Sequence, residues 1–121
     1  MTNRQNKGRW GERLAALSLW CKGYRILARG YHGPRRSGIG EVDIIARRGS
    51  VLAFIEVKSR PSLDSGQYAI RPNQQWRIAR AAQAYISHTP SCAHLSIRFD
   101  AIIVTPRRWP VHITDAWQMN A

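Results

Sequence analysis

The stretch from residue 41 to residue 58, EVDIIARRGSVLAFIEVK, constrains the fold more than any other part of this chain. Two runs rich in Val, Ile and Phe flank a tight turn at Arg48 to Ser50, a pattern that predicts a β-hairpin with strands at Glu41 to Arg47 and Val51 to Lys58. Side chains alternate along a strand, so Glu41 and Asp43 share one face of the first strand, and Glu56 and Lys58 share one face of the second. The chain holds only 7 acidic residues, and 3 of them stand in these two strands, which are otherwise apolar enough to be buried. Adjacent carboxylates in a partly buried place repel one another and lose hydration. A divalent cation bridging Asp43 and Glu56, with Lys58 beside it, would offset both penalties. Magnesium suits such a site, with manganese as a second choice, because it takes oxygen ligands, keeps several waters and leaves positions open to phosphate. In that arrangement Glu56 holds the metal, while Lys58 reaches the attacking water or stabilises charge growing on the phosphate. A Glu-x-Lys at a strand end is common on solvent faces, and its placement beside Asp43 is what gives it weight.

The charge balance points to a polyanion. Lys and Arg number 19 against 7 Asp and Glu, a formal charge of +12 that goes well beyond what solubility requires. Arginines are spread from Arg4 to Arg108, which favours nucleic acid, DNA foremost and RNA as a second possibility. No continuous apolar span or concentrated amphipathic basic patch suggests a membrane partner. Cys21 and Cys92 are too isolated for a disulfide framework or a structural zinc site, and the start MTNRQNKGRW has no apolar run behind it, so cytoplasmic residence is expected. A chain of 121 residues suits one domain over 1–121, with 1–7 expected as a flexible tail.

The remaining elements follow from periodicity. A first helix is expected from near Lys7 to Lys22, with Trp10, Leu14, Leu17 and Cys21 on its apolar face, Ala15, Ala16 and Leu19 widening it, and Gly23 as its stop. Glu12 stands in its first turns, where a carboxylate complements the helix dipole. Tyr24 to Arg29 predicts a strand, and GYHGPRRSGIG a loop whose Arg35 and Arg36 are candidates for phosphate contact. PSLDSGQY is a further loop, with Asp64 as a turn residue. A second helix is expected from Pro72 to Ser87, with Trp76 packing inward and a solvated glutamine as the default for Gln74 and Gln75. Ile97, Phe99 and Ala101 alternate with Arg98, Asp100 and Ile102 in a half-buried strand where arginine and aspartate orient one another. Pro106 and Pro110 break the pattern before a short edge strand, and His32, His88, His94 and His112 read as surface or packing residues. This order predicts one α/β domain, a central sheet with the hairpin near its middle and helices covering it.

Taken together, Gly11-Glu12, GEVDIIA at 40–46, FIEVKSR at 54–60 and Arg98-Phe99-Asp100 resemble the YraN-like bacterial family over roughly residues 8 to 115. That family is similar to the PD-(D/E)xK, or restriction-endonuclease-like, superfamily and to archaeal Holliday junction resolvases. The resemblance implies a restriction-endonuclease-like domain with a divalent-metal site. Asp43 and Glu56 would be principal ligands, Lys58 the motif lysine, and Glu12 would approach from the first helix. Glu41 would be an additional residue near the site, and a glutamine from the second helix, Gln74 or Gln75, would lie near the metal or scissile phosphate. Val42 stands where some superfamily members have proline. The function expected is a divalent-metal-dependent endonuclease hydrolysing phosphodiester bonds in DNA, with branched or irregular DNA as its substrate. Arg35, Arg36, Arg60, Arg77 and Gln74 would contact the nucleic acid, and likeness to resolvases implies a homodimer. The alternative is a noncatalytic nucleic-acid-binding protein on a nuclease scaffold, which explains the charge but leaves Asp43, Glu56 and Lys58 without a chemical reason. A purely structural or protein-interaction domain is the third class.

Overall fold

Gly49 takes a φ of 61° at the first position of a two-residue hairpin loop, a conformation glycine adopts without strain, and the apolar runs on either side pair as their composition predicts. A computed structural model describes residues 2–33, 39–63 and 70–119, with side chains from Trp10 onward. Its elements are α1 (Thr2–Cys21), β1 (Arg25–His32), β2 (Glu41–Arg48), β3 (Val51–Ser59), α2 (Pro72–Ser87), β4 (Ser96–Val104) and β5 (Val111–Trp117), with a single 3-10 turn at Pro90–Cys92 before β4. The strands form one mixed sheet in the order β1-β2-β3-β4-β5, antiparallel except where β3 and β4 run parallel. Parallel neighbours need a crossover, and α2 lies within the connection that supplies it. This is the α/β domain expected, with β3 at the centre. Among the described residues no helix is long and apolar enough to cross a membrane.

Alternate residues of β3 feed two cores. Leu52 and Phe54 join Ile45, Ile78, Ala81, Ala82, Ala101 and Ile103 on the α2 side. Ala53 and Ile55 join Ala15, Leu19, Ile44, Ile102 and Val104 on the α1 side. The sheet is thus buried on both faces, which explains why β3 reads as a nearly continuous apolar run.

Helix α1 departs from the sequence expectation in two ways. It begins at Thr2, so its backbone is helical through residues expected to form a tail. Its buried residues are Gly11, Ala15, Ser18 and Leu19, whereas Trp10 is 61% exposed and Leu17 and Cys21 are also exposed. The physical reason is proximity. A Cβ on Gly11 would lie 2.7 Å from Ser59 Oγ and 3.8 Å from Val104 Cβ, so at this crossing there is no room for a side chain and Trp10 is displaced to the flank, while further along the helix Leu19 still packs beneath it. Ser18 is tolerated there because its hydroxyl donates to the Ala15 carbonyl at 2.7 Å. Gly23 ends the helix as expected: its φ is 88°, and the amides of Lys22, Gly23 and Tyr24 return to the Leu19 and Trp20 carbonyls.

Strand β1 runs on to His32, into the segment read as loop. Helix α2 spans the residues predicted for it, with Pro72 in its first turn. Its buried residues are Ile78, Ala81 and Ala82, and Trp76, expected to pack, is 58% exposed. A helix seated on a sheet by alanines offers an indole no room on that side.

At the opposite edge a second group of charges is fully satisfied. The β4–β5 register shifts between Phe99 and Ala101, leaving Asp115 at a φ of 54° with its amide donating to Asp100 Oδ1 at 2.9 Å. Arg98 Nε and Nη2 each lie 2.8 Å from the Asp100 carboxylate, and His112 Nε2 is also at 2.8 Å. Arg98 and Asp100 therefore orient one another as expected. His112 is buried but does more than pack, since it completes an ion-pair network that only the fold brings together. Burial pushes the Asp100 carboxyl up, and the bonds from His112, Arg98 and the Asp115 amide outweigh it and hold the group below its ordinary value.

Replacing Asp100 with Ala is expected to lower stability by about 3–5 kcal/mol, because Arg98 is left without its buried counter-charge. Urea unfolding near neutral pH reads this directly. Since the folded pKa is depressed, the stabilisation is present above the unfolded carboxylate pKa and is lost as pH falls through the folded value. The gap between wild type and variant should therefore close below about pH 4.

Candidate active site

The β2–β3 ladder runs from the Arg48–Val51 pair to the Ile44–Ile55 pair and stops there. Asp43 and Glu56 would form the next pair, yet β3 stays bonded to β4 as far as Ser59 and Val104. In the fork, Asp43 Oδ2 accepts the Val57 amide at 2.8 Å, so a side chain replaces a ladder carbonyl. The Asp43 carboxyl also lies within hydrogen-bonding reach of Glu56. Glu56 is only 5% exposed. Lys58 Nζ lies 3.2 Å from Glu56 Oε2. From α2, the Gln74 amide nitrogen donates to Glu56 Oε2 and its carbonyl oxygen accepts Lys58 Nζ at 3.2 Å, so one glutamine fixes both motif residues. Gly40 permits this approach, because a Cβ there would fall 2.6 Å from Arg77 Cβ on the same helix.

Burial, the charge of Glu56 and the hydrogen bond to it push the Asp43 carboxyl up to about 8, with Glu41 adding to the rise and the Val57 amide opposing it. Glu12 on α1 is also raised, first by burial and then by the charge of Asp43, while Arg29 pulls it down. Asp43 thus feels the charges of Glu56 and Glu41, and Glu12 those of Asp43 and Glu41, and both groups are held above the ordinary carboxyl range. Among the described residues no cluster of three or more His, Cys, Asp or Glu side chains is arranged to hold a metal. Asp43 and Glu56 are the oxygen donors that could hold one, and their chemistry fits a hard divalent cation that keeps several waters of its own.

Of the residues predicted from sequence, the fold brings Asp43, Glu56, Lys58 and Gln74 into one hydrogen-bonded group. Glu12 is half-buried nearby, and Glu41 is exposed at the start of β2, where it acts on the group through charge alone. The choice between glutamines is resolved: Gln75 Nε2 turns away to the Ile70 carbonyl at 2.8 Å, and Gln74, read by default as solvated, is half-buried against Glu56. Helix phase decides this, and phase becomes readable once the start at Pro72 is known. Arg77 is exposed on α2, and Arg60 follows β3 with its amide on the Val104 carbonyl at 2.9 Å. Arg35, Arg36 and Asp64 lie outside the described residues. Sequence reasoning passed over Thr105 to Trp109, taking them as a break between strands.

Residues 11–104 match the family described as "Uncharacterised protein family UPF0102", a span that includes Glu12, Glu41, Asp43, Glu56, Lys58 and Gln74. The chain is 49% identical over 116 residues to a UPF0102 protein of Paramagnetospirillum magneticum, covering 96% of this chain and 90% of that relative. It is 47% identical over 111 residues to one from a Chelativorans species, covering 92% and 86%. A third, from Methylobacterium nodulans, is 46% identical over 114 residues, covering 94% and 85%.

The raised Asp43 carboxyl sets a pH dependence. Its folded pKa exceeds its unfolded value, so the stability it contributes is full below the unfolded pKa and is lost as pH rises towards about 8. Asp43→Asn mimics the protonated acid and keeps the bonds to Val57 and Glu56. In excess chelator the variant should unfold at higher urea than wild type at pH 8 and at nearly the same urea at pH 4. An equal midpoint difference at both pH values would contradict the raised Asp43 carboxyl.

Proposed function

Because this chain belongs to the UPF0102 family, grouped with the YraN-like and PD-(D/E)xK-like proteins that resemble nucleases, we propose that it is a divalent-metal-dependent endonuclease hydrolysing phosphodiester bonds in DNA. The observation that carries this reading is the pair of carboxyls at the β2–β3 fork, Glu56 buried and Asp43 half-buried, with Lys58 Nζ held 3.2 Å from Glu56. A structural role would not need two acids set side by side away from water, and an apolar pair would pack there at lower free energy.

A magnesium or manganese ion bound there would supply an activated water and neutralise charge on the phosphoryl oxygens. The chain's own residues have separable tasks. Asp43, held largely protonated below about pH 8, would give up its proton, and Asp43 and Glu56 would be the oxygen donors that hold the cation. The Val57 amide keeps Asp43 from turning away. Gln74 holds Lys58 alongside Glu56, so that an ammonium stands beside the place where phosphate charge develops. Glu12, raised first by burial and then by the charge of Asp43, would tune the pair through charge. The charge of +12 draws in the polyanion and favours contacts to its backbone over reading of its bases. Backbone and shape reading suits branched or irregular DNA, with Arg60 and Arg77 among the groups available for phosphate. A homodimer would set two such sites against paired strands.

Lys58→Ala should retain Mn²⁺ binding by calorimetry and DNA affinity by anisotropy, while cleavage falls by roughly 10²- to 10³-fold, the scale for loss of one strong charge-stabilising contact. Asp43→Ala and Glu56→Ala should lose metal binding and cleavage together. Undiminished cleavage by the lysine variant would sink its assigned role, and cleavage by wild type in excess chelator would reject the metal mechanism. Salt-sensitive DNA binding with no cleavage under any metal would instead identify a noncatalytic binding protein.

A further inference from the structure

A groove separate from the carboxyl pair lies on the α1 side of the sheet, where β3 and β4 end. Trp10, Leu14, Val104, Pro106 and Trp109 form its apolar walls around a cavity of about 710 Å³. Trp10 and Trp109 are 61% and 54% exposed, so two indoles face solvent at one depression. Arg107 and Arg108 are exposed and line the same groove, within a loop bracketed by Pro106 and Pro110. Arg107 has a φ of 61°, a backbone state that a non-glycine residue keeps only where its surroundings impose it. Thr105 is 6% exposed on the groove wall. Gly11 and Ser59 also line the groove, at the end of β3 that carries Lys58 on its other face.

We propose that this groove binds unpaired nucleotides of the substrate, with bases stacked on Trp10 and Trp109 and phosphates on Arg107 and Arg108. The inference rests on the nuclease reading above and narrows its substrate to DNA with a single-stranded segment beside a duplex. Aromatic faces interleaved with arginines are the recognition chemistry of single strands, because every base has a face to stack and every linkage a charge. A blunt duplex fits less well, since apart from the outer faces of its terminal pairs its bases cover one another and leave no face for an indole. The cavity has the size of a site for a small molecule, which suits a few nucleobases at most. A second copy of this chain is disfavoured, since it would bring another +12 against a basic rim.

The test uses fluorescently labelled blunt duplex and the same duplex with a short oligo-dT tail, in chelator so that nothing is cleaved. Wild type should bind the tailed duplex more tightly. Trp10→Ala with Trp109→Ala should erase that preference, on the order of tenfold per indole, with blunt-duplex affinity unchanged. Phenylalanine at both positions should restore most of it. Both indoles are exposed, so the fold should survive, as circular dichroism would verify. If the alanine variant keeps the preference, or loses the same factor on both DNAs, the groove assignment is overturned while the nuclease reading stands. A dimer in sedimentation that dissolves in the alanine variant would assign the groove to a second copy. Wild type that binds neither DNA across a salt series would overturn both readings.

Discussion

Past Ile44 and Ile55 the hydrogen bonds between β2 and β3 end, and the Val57 amide is met by the Asp43 carboxyl instead of a strand carbonyl. This one substitution organises the molecule. The parting strands make a fork with carboxyls on both prongs, the parallel pairing with β4 keeps one prong rigid, and the crossover helix lays Gln74 over the opening. Had the ladder continued for one more pair, the two acids would face each other across a closed sheet with no room for a cation or a phosphate.

Two aspartates in this small domain follow opposite electrostatic logic. Asp100 accepts from an arginine, a histidine and a backbone amide, and is held ionised. Asp43 has one amide and an acid for neighbours, and is pushed towards neutrality. The first locks β4 to β5, while the second leaves an unmet electrostatic demand at the fork. Perturbed carboxyls of the second kind cluster at functional sites, whereas ones fully paired like Asp100 serve architecture.

Much of this could be read from the sequence, and what could not shares one cause. The hairpin, the stop at Gly23 and the whole of α2 rest on local patterns of apolar residues, glycine and proline, and all three appear where expected. The juxtaposition of Asp43, Glu56 and Lys58 was legible because hairpin register follows from a short turn. Distance relations were not. The inner face of α1 was assigned to its largest apolar residues, but the helix sits so close to β3 and β4 that Gly11, Ala15 and Ser18 hold that face and Trp10 is excluded. His112 could not be matched with Asp100, nor Gln74 with Glu56, since both contacts depend on how separate elements dock. The exposure of Trp76 and Trp109 has the same origin.

The parallel pairing of β3 with β4 also bears on when the protein becomes competent during its synthesis. Glu56 and Lys58 leave the ribosome early, but Gln74 is pressed against them only after α2 has packed, and α2 is anchored by the return of the chain through Ala101 and Ile103. Pairings between segments so far apart in the chain form slowly, because a long loop must close before any contact stabilises it. A nascent chain that stops short of Ser96 therefore carries the motif residues without the rigid cradle that aligns them. A domain with a formal charge of +12 is thereby kept from an assembled carboxyl-lysine-glutamine cluster until β4 has been made, and the timing is written into strand order alone.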